Sequence, residues 1–357
     1  MKNGFINKGN YPMETDIRIR KYVENISKGW EHEYNEYRSK WIECPSKGIV
    51  LEYPLLVDIE LSSICNLRCP MCYTITEDFK KDVAKGLMDY DLFRKIIDEI
   101  HEKVPAIRLS LRGEPTLHDK FVDCIKYAKD AGVREISFLT NGSKLTEKYF
   151  KEIMFAGADW ITISIDGLGE IYEQIRRPLK FLDTLNRVKA IKRIKDANNF
   201  VKPVIKIQSI WPAIRNNPEE YYNTFVNYVD LIAYNPLIDY LENDNVDDII
   251  YEKHFSCPQL YQRLVIGSDG YALACSNDEK GLMKVGNAND VSISDIWHGD
   301  KINKLREQYK CSNGFKGISI CKRCYLPRAT ENKERCLIHN DNFVVSNYIN
   351  REQEYGK

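Results

Sequence analysis

Three cysteines lie close together in the stretch SSICNLRCPMCY, at positions 65, 69 and 72. The spacing C-x3-C-x2-C would also place three side chains on one face of an α-helix, so a buried helical stripe is the alternative to a ligand-binding loop. Pro70 favours the loop, because a proline inside a helix removes a hydrogen bond and clashes with the preceding turn, at a cost of about 3 kcal/mol. Asn66 and the paired serines before Cys65 are also typical of loops.

Three thiolates on one loop suit an iron–sulfur cluster, whose usual complement is four cysteines. A zinc ion would also need a fourth ligand, normally a cysteine or a histidine, and no histidine lies nearby in the sequence. A cluster with three protein ligands leaves one iron open to a partner that is not part of the protein. The chain has eleven cysteines, and their grouping in a reducing compartment indicates metal or redox chemistry rather than disulfides.

Four more cysteines form two pairs towards the C-terminus. Cys257 and Cys275 flank the sequence GSDG, whose Asp-Gly step predicts a hairpin turn that returns its two arms to one place. Cys321 and Cys324 have the C-x2-C spacing of a loop that holds one metal ion or one corner of a cluster. Taken alone, this set fits a structural zinc ion as well as an iron–sulfur cluster.

The elements that must position these cysteines alternate between strand-like and helix-like patterns. Segments with apolar residues at helical spacing, such as YDLFRKIIDEI at 90–100, separate the strands. The alternation predicts βα units and a parallel sheet with right-handed crossovers, either open or curled into a barrel. The first strand directly precedes the cysteine loop, at the sheet edge where ligands of α/β folds bind. The strand-like segments are 55–62, 107–111, 134–140, 160–165, 204–210 and 229–234.

A chain of 357 residues is long enough for one large domain and a smaller one. A polar helical pattern covers 14–43 and is expected to end near Pro45, since proline discourages continuation of a helix. From about residue 241 the sequence becomes acidic and irregular, and then rich in short strands, glycines and cysteines. We therefore expect an N-terminal helical segment at 1–53, a βα core at 54–240 and a C-terminal cysteine-rich domain at 241–357.

Composition excludes several classes of protein. Charged residues make up 29% of the chain and apolar residues 43%, as in ordinary globular proteins. The 52 lysines and arginines balance 52 aspartates and glutamates, so no basic face for nucleic acid is indicated. No apolar run reaches membrane-spanning length, and the charged N-terminus lacks the apolar core of a secretory signal. We expect a cytoplasmic protein without a membrane or nucleic-acid partner.

The cysteine loop and its surroundings resemble a known family. C-x3-C-x2-C after the first strand of a βα domain resembles the signature of radical S-adenosylmethionine (radical SAM) enzymes, whose core is a partial (β/α)6 TIM-like barrel of the α/β class. LRGEP at 111–115 resembles the family's Gly-Gly-Glu motif, which implies that Gly113 and Glu114 hold the SAM amino group, although Arg112 replaces the first glycine. The resemblance assigns a SAM-binding 4Fe–4S cluster to Cys65, Cys69 and Cys72.

Further positions follow the family's order along the chain. FLTNG and SIDG end the third and fourth strands, where the family has its ribose contacts, which implies that Asn141, Ser164 and Asp166 contact SAM. Arg176 follows Ser164 at the interval of the arginine that reaches the SAM carboxylate in related enzymes. The resemblance to the radical SAM core covers about residues 54–240.

The residue before the third cysteine is usually aromatic in the family and lies near the adenine. Here it is Met71, and the aromatic ring is displaced to Tyr73. The other positions have structural alternatives: Glu114 can cap a helix, Ser164 can close a turn, and Arg176 can form an ion pair on the surface.

The C-terminal cysteines resemble the SPASM and twitch extensions of the same family. C-x9–15-G-x4-C opens these extensions, and GNANDVSISDIWHGDKINKLR at 286–306 matches their linker. The full SPASM pattern continues with two more cysteines, but Thr330 and Glu334 stand at those positions, so the shorter twitch form with one auxiliary 4Fe–4S cluster fits better. Cys311 and Cys336 are nearby, and either would be able to replace a ligand. The expected ligands are Cys257, Cys275, Cys321 and Cys324.

The resemblance implies a radical SAM oxidoreductase of a small-molecule substrate. SAM would bind the open iron, and its reductive cleavage would give a 5′-deoxyadenosyl radical that removes a hydrogen atom. The auxiliary cluster would take up the electron left behind, which favours dehydrogenation of a carbohydrate or polyol. Epimerisation is the related alternative and needs a hydrogen donor such as Cys44, whereas Cys124 fits the buried face of a helix. A flavodoxin- or ferredoxin-type protein would donate the electron.

Two functions of other classes stay open. One is peptide or protein modification, as in sulfatase-maturing enzymes and ribosomal-peptide cyclases. The 53 residues before the first core strand have a mostly helical pattern, so we expect no winged-helix domain of the kind that recognises leader peptides. The other is a zinc or iron–sulfur binding module without catalytic activity.

Overall fold

The computed structural model describes residues 10–238, 241–242, 244–253, 255–311, 313–338, 341–351 and 354. Among these residues no helix combines the length and the apolar character that crossing a bilayer requires. The strands are β1 Tyr11–Pro12, β2 Leu56–Ile59, β3 Ala106–Arg108, β4 Glu135–Thr140, β5 Trp160–Ser164, β6 Val204–Ile210, β7 Leu231–Asn235, β8 Arg263–Ile266, β9 Tyr271–Leu273, β10 Lys284–Asn287, β11 Thr330–Ile338 and β12 Asp341–Tyr348. The α-helices are α1 Asp16–Ser27, α2 Glu31–Lys47, α3 Glu77–Asp82, α4 Tyr90–Ile100, α5 Phe121–Asp130, α6 Glu147–Ala156, α7 Gly169–Ile175, α8 Phe181–Ala197, α9 Trp211–Ile214, α10 Pro218–Phe225, α11 Gln259–Gln262, α12 Ile293–Trp297, α13 Asp300–Lys310 and α14 Ser319–Arg323.

One ten-stranded sheet organises the fold, in the order β1-β7-β6-β5-β4-β3-β2-β8-β9-β10. Strands β2 to β7 pair in parallel with their neighbours in the chain. The helices between them form the crossovers that parallel neighbours need. The prediction of an α/β fold with a parallel sheet of βα units is therefore confirmed.

The parallel strands carry different residues on their two faces. On β2, Val57 and Ile59 are fully buried in the main hydrophobic core with the helices, and isoleucines of β3 to β7 lie in the same core. Because successive side chains of a strand point to opposite sides, Asp58 and its counterparts on the other strands face away from those helices. We call this second side the inner face. Its N-terminal end is covered by aromatic residues of α1 and α2, which pack on Leu56, Ala106 and Val204.

The N-terminal helical pattern forms two helices, α1 and α2, and α2 extends beyond Pro45. The helix was expected to end near Pro45, and α2 continues two residues further to Lys47, where Gly48 caps it in the left-handed conformation. A proline at position 45 cannot donate to the carbonyl of Trp41 four residues earlier. The side-chain amide of Gln262 donates to that carbonyl at 2.6 Å instead. A partner distant in sequence therefore supplies the hydrogen bond that the proline removes.

The C-terminal region continues the sheet. Strand β8 pairs in parallel with β2, with Asp58 opposite Val265, and β9 returns antiparallel to β8. The predicted Asp-Gly turn joins β8 and β9, where Gly270 has a φ of 83°. The predicted boundary after residue 240 cannot be compared with the fold, because residues 239 and 240 lie outside the described residues. The division at 53 and 240 stays a prediction.

The bond between Gln262 and Trp41 leads to a prediction about stability. Changing Gln262 to alanine leaves the partly buried Trp41 carbonyl without this donor, so we expect the free energy of unfolding to fall by about 1–3 kcal/mol. Denaturant unfolding followed by circular dichroism measures the change. In the Pro45→Ala background the loss should be smaller, because the alanine N–H can donate to Trp41. An equal loss in both backgrounds would contradict this explanation.

Candidate active site

The three cysteines of the first motif lie on a loop between β2 and a 3₁₀ helix at Tyr73–Ile75. No helix or strand covers residues 63–72, so the loop prediction is confirmed and the helical stripe is excluded. The chain turns at Pro70, where the Cys72 N–H donates to the Cys69 carbonyl at 3.0 Å. Cys69 is buried, whereas Cys65 and Cys72 are partly exposed.

Hydrogen-bond donors surround the sulfur of Cys65. The N–H of Leu67 lies 3.4 Å from this sulfur, and the side-chain amide of Asn141 lies 4.0 Å from it. The same amide donates to the Asn66 side chain at 2.9 Å, which ties the loop to the end of β4. Donors to sulfur stabilise a thiolate and orient a cluster ligand. Cys65 also lines a cavity of about 380 Å³ beside the loop.

The other two sulfurs have polar neighbours as well. A guanidinium nitrogen of Arg176 lies 3.8 Å from the Cys69 sulfur, and the Thr74 hydroxyl lies 3.0 Å from that of Cys72. Burial raises the pKa of the three thiols, to about 11 for Cys72. A thiol of this kind becomes a thiolate when a metal centre binds it, because coordination removes the proton. The donor set therefore fits a cationic cluster at this loop.

Gly113 lies against the backbone of the cysteine loop. A Cβ at this position would come within 2.3 Å of the Ser62 carbonyl and 2.6 Å of the Ile64 carbonyl. The next residue, Glu114, donates its N–H to the Ile64 carbonyl at 2.8 Å. The two motifs that the family resemblance joins are therefore in direct contact, and the contact requires glycine.

The carboxylate of Glu114 is buried and bonded within the protein. One oxygen accepts from the N–H and the hydroxyl of Thr116, at 3.2 and 2.6 Å, and from the Thr140 hydroxyl at 2.7 Å. The other oxygen accepts from the Asn141 N–H at 2.7 Å. Burial raises the pKa of Glu114 against these hydrogen bonds. The structural alternative, a helix cap, is present, and the carboxylate also joins the end of β3 to the end of β4. Its contact with SAM stays a prediction.

Arg112 stands where the family motif has glycine, and its guanidinium forms a buried ion pair with Glu60. The Nε of Arg112 lies 2.7 Å from one carboxylate oxygen, and a second guanidinium nitrogen contacts the other. Ser268, in the β8–β9 turn, donates its N–H to the same carboxylate at 3.1 Å. Although burial works against the charge, the bond to Glu60 raises the pKa of Arg112 above its usual value. The replacement of glycine by arginine therefore links the SAM-binding motif to the C-terminal hairpin.

Asp166 and Arg176 are paired with each other. The Nε of Arg176 lies 2.6 Å from one oxygen of Asp166, whose other oxygen accepts from the Ile210 N–H at 2.9 Å. Burial alone lowers the pKa of Arg176, but the Asp166 carboxylate and the neighbouring Cys69 raise it overall. Ser164 is partly exposed at the end of β5 on the inner face. Arg176 thus reaches the cysteine loop, while its contact with a SAM carboxylate stays a prediction.

Met71 and Tyr73 differ in their surroundings. Met71 is partly exposed on the cysteine loop. Tyr73 is buried in a small cluster with Phe79 and Val83, and its hydroxyl donates to Asp82 at 3.0 Å. The ring of Tyr73 therefore packs α3 against the loop, and of the two predicted adenine contacts Met71 has the open surface.

The four cysteines of the second set lie together in the C-terminal region. Cys257, Cys275 and Cys321 are buried, and Cys324 is partly buried. Burial raises the pKa of all four thiols, and the other cysteines of the set add to the effect for Cys257, Cys275 and Cys324. The N–H of Asn277 lies 3.2 Å from the Cys275 sulfur, and its side chain lies 3.8 Å from that of Cys324. The hairpin and the C-x2-C loop thus meet at one place.

The remaining cysteines have other surroundings. Cys311 is exposed after α13, and Cys336 is partly exposed on β11. Cys44 and Cys124 are buried in α2 and α5, where they belong to the main hydrophobic core. Within the described residues, no three His, Cys, Asp or Glu side chains converge on a point for a single metal ion. A 4Fe–4S cube takes one thiolate at each corner, so its ligands are farther apart than those of a single ion.

Sequence reasoning missed the charged residues of the inner face. Asp58 and Glu60 are fully buried on and just after β2, and Lys206 is buried on β6. Charged residues at alternate positions of strand-like segments, as in LLVDIELS and VIKIQSI, were the available signal. Arg263 precedes the predicted hairpin and also lies on this face. Tyr325, directly after Cys324, was missed as well.

The contact of Gly113 with the loop gives a second prediction. Gly113→Ala should lower the free energy of unfolding by about 1–3 kcal/mol, since the added Cβ overlaps backbone carbonyls that cannot move independently. Gly86→Ala is the matched control, because Gly86 also contacts this loop but a Cβ there meets nothing within 4 Å. Denaturant unfolding of the two variants measures the difference. Equal stability of the two would contradict the tight contact.

Comparison with protein families matches two regions of the chain. A model described as the radical SAM superfamily matches residues 59–224, and a model described as an iron–sulfur cluster-binding domain, SPASM, matches residues 257–325. The tungsten-containing aldehyde ferredoxin oxidoreductase cofactor-modifying protein of Pyrococcus furiosus is 39% identical over 113 residues, which are 31% of this chain and 30% of that protein. The uncharacterized protein MJ0804 of Methanocaldococcus jannaschii is 31% identical over 213 residues, which are 57% of this chain and 65% of that protein. The chain therefore spans less than two thirds of the length of these relatives.

Solved structures show the same fold. The complex of BtrN with AdoMet and 2-DOIA has a TM-score of 0.53 at 20% identity and covers 76% of this chain and 92% of its own. SuiB of Streptococcus suis, bound to the precursor peptide SuiA, has a TM-score of 0.53 at 14% identity and covers 83% of this chain and 77% of its own.

The first domain implies a 4Fe–4S cluster and SAM, and the second implies auxiliary iron–sulfur binding. The second match favours iron over zinc in the C-terminal region. Residues 59–224 therefore match a radical SAM domain, and residues 257–325 match a SPASM domain that follows it.

Proposed function

We propose that this radical SAM enzyme is an oxidoreductase that dehydrogenates a small polar molecule, a carbohydrate or polyol, in the reducing cytoplasm. A SAM-binding 4Fe–4S cluster would supply the radical chemistry that removes a hydrogen atom from the substrate, and Cys257, Cys275, Cys321 and Cys324 would hold an auxiliary cluster able to take up the electron left on the substrate. Cys65, Cys69 and Cys72 would hold the first cluster. A flavodoxin- or ferredoxin-type protein would provide the reducing electron.

The observation that carries this proposal is the position of Tyr325. It directly follows Cys324, and it hydrogen-bonds to the side chain of Asn277, which also contacts the sulfurs of the second cysteine set. Tyr325 is also near Arg108 and Arg263 of the inner face. Tyr325 therefore lies beside the second cysteine set and near the cations of the inner face. An electron acceptor needs such a position to oxidise a substrate radical.

The residues around the first cysteine set would orient SAM and limit access of water. Gly113 brings the Gly-Glu turn against the loop, and Asn141 joins the loop to β4. Arg176 lies next to Cys69 with its charge fixed by Asp166. These groups are held by the ends of β3 to β5, at the edge of the sheet where ligands of α/β folds bind. We propose Met71, Gly113, Glu114, Asn141, Ser164, Asp166 and Arg176 as the surroundings of SAM.

Two observations support dehydrogenation of a small molecule. BtrN, solved in complex with AdoMet and 2-DOIA, matches this chain over 92% of its length. Epimerisation would need a hydrogen donor beside the substrate, but Cys44 and Cys124 are buried in the core between the helices and the sheet. Peptide modification is the second candidate, because SuiB binds the peptide SuiA and has a similar TM-score.

Product analysis tests the proposed reaction. Anaerobically reconstituted protein, reduced in the presence of SAM, should form 5′-deoxyadenosine, and a panel of sugars, polyols and peptides should show which class increases its formation. The expected result is an oxidised sugar or polyol, formed in the same molar amount as 5′-deoxyadenosine. Formation of 5′-deoxyadenosine driven by peptides alone would favour the second candidate. The absence of 5′-deoxyadenosine would contradict both.

The role of the second cysteine set gives a further prediction. The double variant Cys321→Ala and Cys324→Ala should contain about four iron atoms per chain instead of about eight, because one 4Fe–4S cluster is lost. It should still form 5′-deoxyadenosine but lose the oxidised product. Cys311→Ala is the matched control, since Cys311 is an exposed thiol of the same region. Full formation of oxidised product by the double variant would rule out the auxiliary cluster as electron acceptor.

A further inference from the structure

The inner face of the sheet carries a group of charged side chains that the proposed reaction does not use. Arg108 on β3, Lys206 on β6 and Arg263 on β8 point to this face together with Asp58 on β2, because their neighbours along each strand belong to the main hydrophobic core. We call these four residues the inner cluster. Glu60 and Arg112, the next charged pair on this side, neutralise each other. The inner cluster therefore contains three cationic side chains and one carboxylate.

Asp58 is shared between the two arginines. Its oxygens lie 2.8 Å from the Nε of Arg108 and 3.1 Å from a terminal nitrogen of Arg263. Lys206 has no carboxylate within ion-pair distance among the described residues, and its amino group donates to the Gln208 side chain at 3.0 Å. One carboxylate does not neutralise this group of cations.

The electrostatics of the cluster agree with an excess of positive charge. Burial, and after it the charge of Arg108, lower the pKa of Lys206 to about 7. Burial likewise lowers the pKa of Arg108, and Arg263 adds to this effect. Within the described residues, the buried Nε of Arg263 has no hydrogen-bond partner, whereas that of Arg108 faces Asp58. Buried cations that repel one another, with donors to spare, are stabilised by an anion.

The cluster and its neighbours on the inner face are partly exposed. The side chain of Arg108 is 25% exposed, and Ser164, Gln208 and Asn235 on the same face are partly exposed. Asp58 precedes Glu60 by two residues, which is about 7 Å along a strand. A ligand whose anionic group reached the inner cluster would hold its other end near the level of Arg112 and the cysteine loop.

We propose that the inner cluster binds an oxyanion of the substrate, a carboxylate or a phosphate monoester. This inference rests on the proposed function, since it specifies the substrate of that site. Arginine guanidinium groups bind such oxyanions with paired, charge-assisted hydrogen bonds, and Lys206 adds a compact charge on the opposite strand. The polyol or carbohydrate would carry its acidic group deep in the barrel and present a C–H bond towards SAM.

Equilibrium binding tests the proposal without turnover. Reconstituted holoenzyme with saturating SAM and no reductant is titrated by calorimetry at fixed ionic strength with glycerol, glycerate and glycerol 3-phosphate. SAM is present so that its own carboxylate cannot act as the tested anion. The two acidic probes should bind at least about tenfold more tightly than glycerol, and the tighter of the two identifies a carboxylate or a phosphate as the natural group.

Variants assign the binding to the cluster. Lys206→Met and Arg108→Gln should each weaken binding of the acidic probes by about tenfold or more and leave the affinity for glycerol unchanged. Lys192→Met is the matched control, because Lys192 is a surface lysine of α8 paired with Asp196. Lys206→Met removes a buried cation that has no carboxylate partner, so it is expected to fold even if Arg108→Gln does not. Wild-type affinity for the acidic probes in Lys206→Met, or no preference over glycerol in the unchanged protein, would overturn the proposal.

The same preparations separate this inference from the proposed reaction. If an acidic probe binds tightly to protein that forms no 5′-deoxyadenosine, the oxyanion site is supported and the proposed reaction is refuted. Formation of 5′-deoxyadenosine in protein without a preference for acidic probes would keep the reaction and refute the oxyanion site.

Discussion

The parallel pairing of β8 with β2 is the interaction on which the arrangement of both cysteine sets depends. Strand β2 leads directly into the first cysteine loop, and β8 follows the segment that contains Cys257. Because Cys257 precedes β8 and Cys275 follows the antiparallel β9, these two cysteines lie at the end of the paired strands opposite the first cysteine loop. The SPASM region therefore continues the ten-stranded sheet that carries the first cysteine loop.

The buried carboxylate of Glu60 strengthens this junction. It accepts from Arg112 in the Gly-Glu turn and from Ser268 in the β8–β9 turn, which places three segments around one charge. A buried ion pair is costly to desolvate, so it adds little net stability. Removing either partner would leave a buried charge unpaired, and the pair therefore favours the one arrangement in which the two side chains meet. The arginine at a position where the family motif has glycine thus has a structural explanation. It ties the turn beside the first cluster loop to the hairpin of the second.

The inner face combines this rigidity with charge. Its apolar N-terminal end is closed by α1 and α2, and its polar residues lie towards the edge that carries the cysteine loop. Tyr325, which directly follows Cys324, lies near Arg263 of this face. A substrate held there would lie between the two proposed clusters, which suits a reaction that begins with a hydrogen atom removed on one side and ends with an electron accepted on the other.

Much of this protein was predictable because its signals are local. Pro70 excludes a helix across the cysteine loop, period-two and helical patterns give the βα alternation, and an Asp-Gly step gives the β8–β9 turn. Each of these depends on residues within a few positions of one another.

Only the tertiary structure decided the rest, because those outcomes depend on partners far away in the chain. Helix α2 passes Pro45 because Gln262, 221 residues from Trp41, replaces the missing donor. Tyr73 packs on Phe79 instead of facing open space, and the arginine at 112 acquires its role from Glu60. The excess of positive charge on the inner face exists only once β2, β3, β6 and β8 share one side of a sheet. Sequence alone determined the local shapes and the cysteine chemistry, whereas the folded sheet determined which charges meet, since strand order and register bring distant side chains together.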